Sequence, residues 1–100
     1  MDETAGRRAS QCCRVLGNGL AYRIVRLLGR ERLRPMELAR ALGASAPSVV
    51  NQLRQLKLAG VVRSRSSGVR RGGRKVEYWL ADPGLARWMK GLERSLKRTR

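Results

Sequence analysis

The chain has 100 residues, of which 42% are apolar, and its 23 Lys and Arg against 7 Asp and Glu leave a formal net charge of +16. That length is one ordinary domain, and that apolar fraction argues against wholesale disorder. The charge calls for a polyanionic partner, because each phosphate neutralised by Lys or Arg releases a condensed counterion.

Residues 1–8 are small and polar and read as a flexible N-terminal arm. A weakly helical stretch follows over 9–16, with Cys12, Cys13, Val15 and Leu16 as its apolar set, and Gly17-Asn18-Gly19 breaks it. Asn18 suits the N-cap of a second helix, in which Leu20, Ile24, Leu27 and Leu28 recur at helical spacing up to Gly29. Pro35 opens a third helix at its first turn, Glu37 complements the dipole there, and Gly43 closes it. Ser45 caps a fourth helix, expected over 45–59, with Val49, Leu53, Leu56 and Leu58 facing inward at offsets of four, three and two. The period then changes: residues 61–65 read as a strand, the Gly-rich run 66–73 as a turn, and 75–80 as a half-buried strand. Asp82-Pro83 starts a last helix whose stripe is Leu85, Trp88, Met89, Leu92 and Leu96, and residues 97–100 form a basic tail.

The order is therefore α-α-α-α-β-β-α, a mainly α fold with a small β-hairpin, and one domain is expected over 9–96. The run ELARALGASAPSVVNQLRQLKLAGVV (37–62) joins two helices through a tight turn in which Gly43 tolerates backbone angles closed to other residues. Such a pair braces the DNA backbone with its first helix and enters the major groove with its second. These residues resemble the helix-turn-helix of the ArsR-type (arsenical-repressor-like) winged-helix regulators. VLGNGLAYRIVRLLG (15–29) resembles that family's second-helix entry, with Asn18-Gly19 where Asp-Pro is usual. VRSRSSGVRRGGRKVEYWL (62–80) resembles its wing, several residues longer than most.

Geometry exposes the start of helix 45–59. Asn51 and Gln52 can bond adenine bidentately, Arg54 can bond guanine or phosphate, and Ser45 and Ser48 can do either. The resemblance places Ala46, Ser48, Val50, Asn51 and Gln52 where the family reads bases. Val50 suits a thymine methyl or a place beside the core, and the whole set also fits a merely solvated face. The wing 61–80 carries Arg63, Arg65, Arg70, Arg71, Arg74 and Lys75 against Glu77 alone. Charge of one sign suits the flanking minor groove or its phosphates, although it also keeps an exposed hairpin unpaired.

The stripe Leu85, Trp88, Met89, Leu92 and Leu96 exceeds what one small domain needs to cover a single face. The resemblance implies that first and last helices pair across a two-fold axis, which makes these residues with Val15 and Leu16 the expected dimer interface. The alternative is packing within one chain. A dimer sets two recognition helices about 34 Å apart and reads a pseudo-palindromic operator.

The resembled family's metal sites are missing: residues 36–42 hold no Cys, and the chain has no His. The vicinal pair Cys12-Cys13 remains. It fits small buried hydrophobes, a redox pair activated by Arg14, or a soft-metal site short of a third sulfur. No cofactor is expected and no small-molecule effector is identifiable. Without His, a nucleophile–base pair or a phosphate-cradling glycine loop, an enzyme is not expected either. No run of about 18 apolar residues occurs and the N-terminus has no apolar signal core, so a cytoplasmic protein that binds no membrane is expected. The sequence thus points to a sequence-specific double-stranded-DNA-binding transcriptional regulator, a homodimeric repressor. The competing expectation is a constitutive architectural DNA-binding protein. An RNA-binding winged helix is disfavoured, since a helix cannot enter RNA's deep major groove and stacking aromatics are scarce.

Overall fold

A computed structural model describes residues 3–70 and 73–99, with only the backbone of 67–70, 73 and 74. It contains α1 (Glu3–Leu16), α2 (Gly19–Leu28), α3 (Pro35–Leu42), α4 (Ala46–Leu58), β1 (Val62–Arg70), β2 (Gly73–Leu80) and α5 (Gly84–Arg98). This is a winged helix-turn-helix fold.

The helix boundaries follow from local chemistry. Asn18 Oδ1 accepts the Ala21 N–H at 3.0 Å and caps α2. Pro35 stands at the first position of α3, and Glu37 Oε1 accepts the Arg34 N–H at 2.8 Å. Gly43 ends α3 in the left-handed region, φ 62°, where a side chain is strained, and so permits the sharp turn into α4. Ser45 Oγ accepts the Ser48 N–H at 3.2 Å and caps α4. Before α5, Asp82 Oδ1 accepts the Gly84 N–H at 2.9 Å.

Three expectations are corrected. Residues 3–8, read as an arm, form the first turns of α1. Residues 97 and 98, read as tail, continue α5. Residues 66–70 and 73, read as part of a turn, continue the strands, which pair from Val62↔Leu80 out to Arg70↔Gly73 with a register irregularity between Ser67 and Val69. A bulge absorbs Gly68 without ending the ladder, so a glycine that reads as punctuation is carried inside a strand.

An isolated antiparallel bridge at Leu33 joins the two-stranded sheet. Leu33 N–H donates to the Tyr78 carbonyl at 3.1 Å and Tyr78 N–H to the Leu33 carbonyl at 2.8 Å. The segment entering α3 is thereby fixed to the root of the hairpin.

The core gathers Ile24 and Val25 of α2, Leu38 of α3, Val49, Leu53 and Leu56 of α4, Val62 of β1 and Met89 of α5. Each such side chain stabilises the fold by about 1.5–3 kcal/mol on burial. α5 docks on one stripe of α2, at Tyr22, Arg26 and Gly29. Tyr22 Oη donates to Glu93 Oε2 at 2.6 Å, and Arg26 donates to both carboxylate oxygens, Nε to Oε2 at 2.8 Å and Nη2 to Oε1 at 3.2 Å. The pair lowers the Glu93 carboxyl below its ordinary value, the Arg26 hydrogen bond contributing most and the Tyr22 hydroxyl next. A Cβ at Gly29 would stand 2.5 Å from that of Ala86, so glycine there allows the close approach of α5.

Candidate nucleic-acid interface

α4 presents its outer face because Val49, Leu53 and Leu56, spaced four and three apart, turn into the core. Leu58, expected inward with them, is corrected, since it lies two positions past Leu56, over half a turn off the buried stripe, and is 74% exposed. Ser45, Ser48, Val50, Asn51 and Arg54 are exposed, and Ala46 and Gln52 are half-buried. Val50 is 41% exposed, so packing beside the core does not account for it. The first turn of α4 holds no acidic residue that would repel an anion at the helix start. Ser45 Oγ–H also donates to Ser48 Oγ at 2.8 Å, so the two hydroxyls act as one unit at this helix start.

The wing's register sets Arg63 opposite Trp79, Arg65 opposite Glu77 and Ser67 opposite Lys75. Strand alternation puts 63, 65, 75, 77 and 79 on one face, while Val62 and Leu80 are buried on the other. Arg63, Arg65 and Lys75 are exposed. The side chains of Arg70 and Arg74, and Arg71 altogether, lie outside the described residues. Lys57 Nζ donates to Ser64 Oγ at 2.7 Å and ties the last turn of α4 to the wing.

Two arginines that sequence reasoning missed join this face. Arg34 lines a cleft with Arg65, Lys75 and Glu77. The Arg32 guanidinium stacks 4.1 Å from the Trp79 ring centroid, a cation–π contact. Both flank Leu33, whose pairing with Tyr78 brings them to the wing, and no local sequence signal announces that pairing.

The expected dimer residues separate into two groups. Trp88, Leu92 and Leu96 are 50%, 39% and 62% exposed, and Val15 and Leu85 are half-buried. Leu16 and Met89 are corrected: at 7% and 0% exposure they belong to the protomer's own core. One helix stripe is wide enough to serve both a core and a surface, and tertiary packing decides which residues serve which. A cleft of about 520 Å³ runs between α1, the α4–β1 junction and the start of α5, lined by Ala9, Cys12, Gly60, Leu85 and Trp88 among others.

Cys12 is half-buried and Cys13 exposed. Burial pushes the Cys12 thiol above its ordinary value and the neighbouring Cys13 adds to the rise, which is the opposite of activation by Arg14. Among the described residues, no three His, Cys, Asp or Glu come together as metal ligands.

Residues 21–64, from α2 into the first wing strand, match the family model described as bacterial regulatory protein, arsR family. A solved structure of the cadmium metal-sensor CMTR from Mycobacterium tuberculosis is 32% identical over 83% of this chain and 81% of that one, with a TM-score of 0.67. The chain belongs to the ArsR family. Two further structures share the fold of this ArsR-family regulator at lower identity. A homodimeric winged helix-turn-helix DNA-binding domain from Mycobacterium bovis, described as a possible ArsR-family transcriptional regulator, is 22% identical over 99% of this chain and 89% of that one, TM-score 0.79. The transcriptional repressor BigR from Xylella fastidiosa is 20% identical over 90% of this chain and 87% of that one, TM-score 0.75. No curated protein matches the sequence. Family and fold are those of DNA-binding transcription regulators, not of enzymes, and among the described residues no helix is long and apolar enough to cross a membrane.

Proposed function

We propose that this ArsR-family regulator is a sequence-specific repressor that binds a pseudo-palindromic operator as a homodimer. The observation that carries the reading is the outer face of α4: it is polar, exposed, and held rigid by three buried residues beneath it. Asn51 and Gln52 read base edges in the major groove, Val50 contacts a thymine methyl, and Ser45, Ala46, Ser48 and Arg54 set the helix against bases and phosphates. Arg63, Arg65 and Lys75, with Arg70, Arg71 and Arg74 toward the tip, neutralise the flanking backbone or enter the minor groove. Trp88, Leu92 and Leu96 with Val15 and Leu85 form the two-fold contact, supported by their exposure and by the homodimeric state of the M. bovis domain. The cytoplasm is where such a protein meets its operator. Cadmium sensing is not carried over from CMTR, because the ligand groups that would hold a metal are not gathered among the described residues.

A constitutive architectural role is the second reading, favoured by the many Lys and Arg that lie outside α4 and the wing. Selection from a randomised duplex library, then titration of the enriched site against scrambled DNA from about 50 to 300 mM salt, separates the two. An enriched inverted repeat preferred by about 10³ or more supports the repressor. No enriched motif, with equal affinity and equal salt slope for both duplexes, overturns it in favour of the architectural protein.

A further inference from the structure

α5 has three edges. At 3.6 residues per turn, Ala86, Met89 and Glu93 face the body of the domain, and Leu85, Trp88, Leu92 and Leu96 lie to one side. On the other side run Arg87, Lys90, Arg94, Lys97 and Arg98, spaced three, four, three and one apart, all exposed and within an arc of about 100°. None of these five forms an ion pair among the described residues. The one carboxylate of α5, Glu93, is held by Arg26 and Tyr22 on the core side. Like charges at these spacings destabilise a helix, so a face that served solubility alone would mix signs. The cost is offset when a polyanion lies along it.

We propose that the basic edge of α5 is a second phosphate-binding surface, distinct from α4 and the wing, by which the protein holds a second DNA duplex and bridges two DNA segments. Five cations over twelve residues of helix, 87–98, give about one per 4 Å. One DNA strand carries a charge per about 3.4 Å of axis, so the linear densities match. An anionic membrane is the weaker partner for this edge. An interfacial helix buries its apolar side in lipid, and in the dimer proposed above that side is taken by a second copy of the chain. The proposal goes beyond operator recognition and needs no preferred sequence.

The test is a capture assay with a bead-tethered duplex and a second, labelled duplex, run beside single-duplex binding and flotation with vesicles of half anionic, half neutral phospholipid. Wild-type protein captures the second duplex. Lys90→Ser with Arg94→Ser and Lys97→Ser lowers capture about ten-fold or more at physiological salt, while single-duplex Kd changes less than about three-fold. The charge-keeping set Lys90→Arg, Arg94→Lys and Lys97→Arg retains capture. The proposal is overturned if wild type captures nothing, including the case where it floats with vesicles instead. It is also overturned if the serine variant captures as well as wild type, which puts both duplexes on the recognition helices, or if single-duplex binding falls in parallel. Because any duplex serves, a failed operator selection leaves this readout intact.

Discussion

Gly29 at the end of α2 and Ala86 in the first turn of α5 approach so closely that a Cβ on the glycine would stand 2.5 Å from the alanine's own. Gly29 has ordinary helical angles, φ −67° and ψ −16°, so alanine there meets a steric and not a conformational obstacle. Gly29→Ala is expected to destabilise the protein by about 1–3 kcal/mol through overpacking. Urea unfolding measures the loss, and the double variant with Ala86→Gly recovers most of it. A single variant as stable as wild type would show that the two helices part at no cost.

The Tyr22–Arg26–Glu93 cluster makes stability depend on acid. Glu93 has a lowered folded value, so its contribution is fully present above the ordinary carboxylate value of 4.5 and is lost as pH falls through the lowered one. Wild type is expected to melt above Glu93→Gln near neutral pH, with the two Tm curves converging toward the acid end. Parallel curves down to pH 2 would remove Glu93 from the account.

Asn18 holds the start of the helix on which every other helix packs. Asn18→Ala loses the bond to Ala21 and is expected to cost about 1 kcal/mol, whereas Asn18→Asp keeps it. Thermal unfolding of the three proteins checks the order.

On DNA, the two parts of the interface should fail differently. Asn51→Ala and Gln52→Ala are each expected to reduce preference for the selected site by about 1–3 kcal/mol, with little change toward scrambled DNA. Arg63→Gln and Arg65→Gln should weaken both duplexes alike and lower the salt slope by about one each. Equal loss of preference from either set would erase the division between reading and anchoring.

Trp88→Asp places a charge on the exposed apolar edge of α5, at a side chain outside the buried core. It is expected to yield a folded monomer by light scattering, with operator affinity reduced at least ten-fold because two half-sites are no longer engaged together. A variant that stays dimeric would move the two-fold contact elsewhere.

Local chemistry was legible in the residues. Asn18, Pro35, Gly43 and Ser45 each act within three residues of themselves, and the structure has them where their side chains predict. What escaped reading is held by distance. Leu33 meets Tyr78, and Arg26 meets Glu93 67 positions away, through packing that no window of sequence contains. The same is true of Leu16 and Met89: their spacing marks an apolar stripe, but only the assembled domain divides it into core and surface. At the wing, Gly68, Gly72 and Gly73 suggested a broad turn, because a bulge and a turn draw on the same residue.

The pairing of Leu33 with Tyr78 has a mechanical side. Its two hydrogen bonds splice the hairpin to the residues directly before Pro35, so the root of the hairpin and the entry to the helix-turn-helix share one anchorage and keep a fixed spacing from each other.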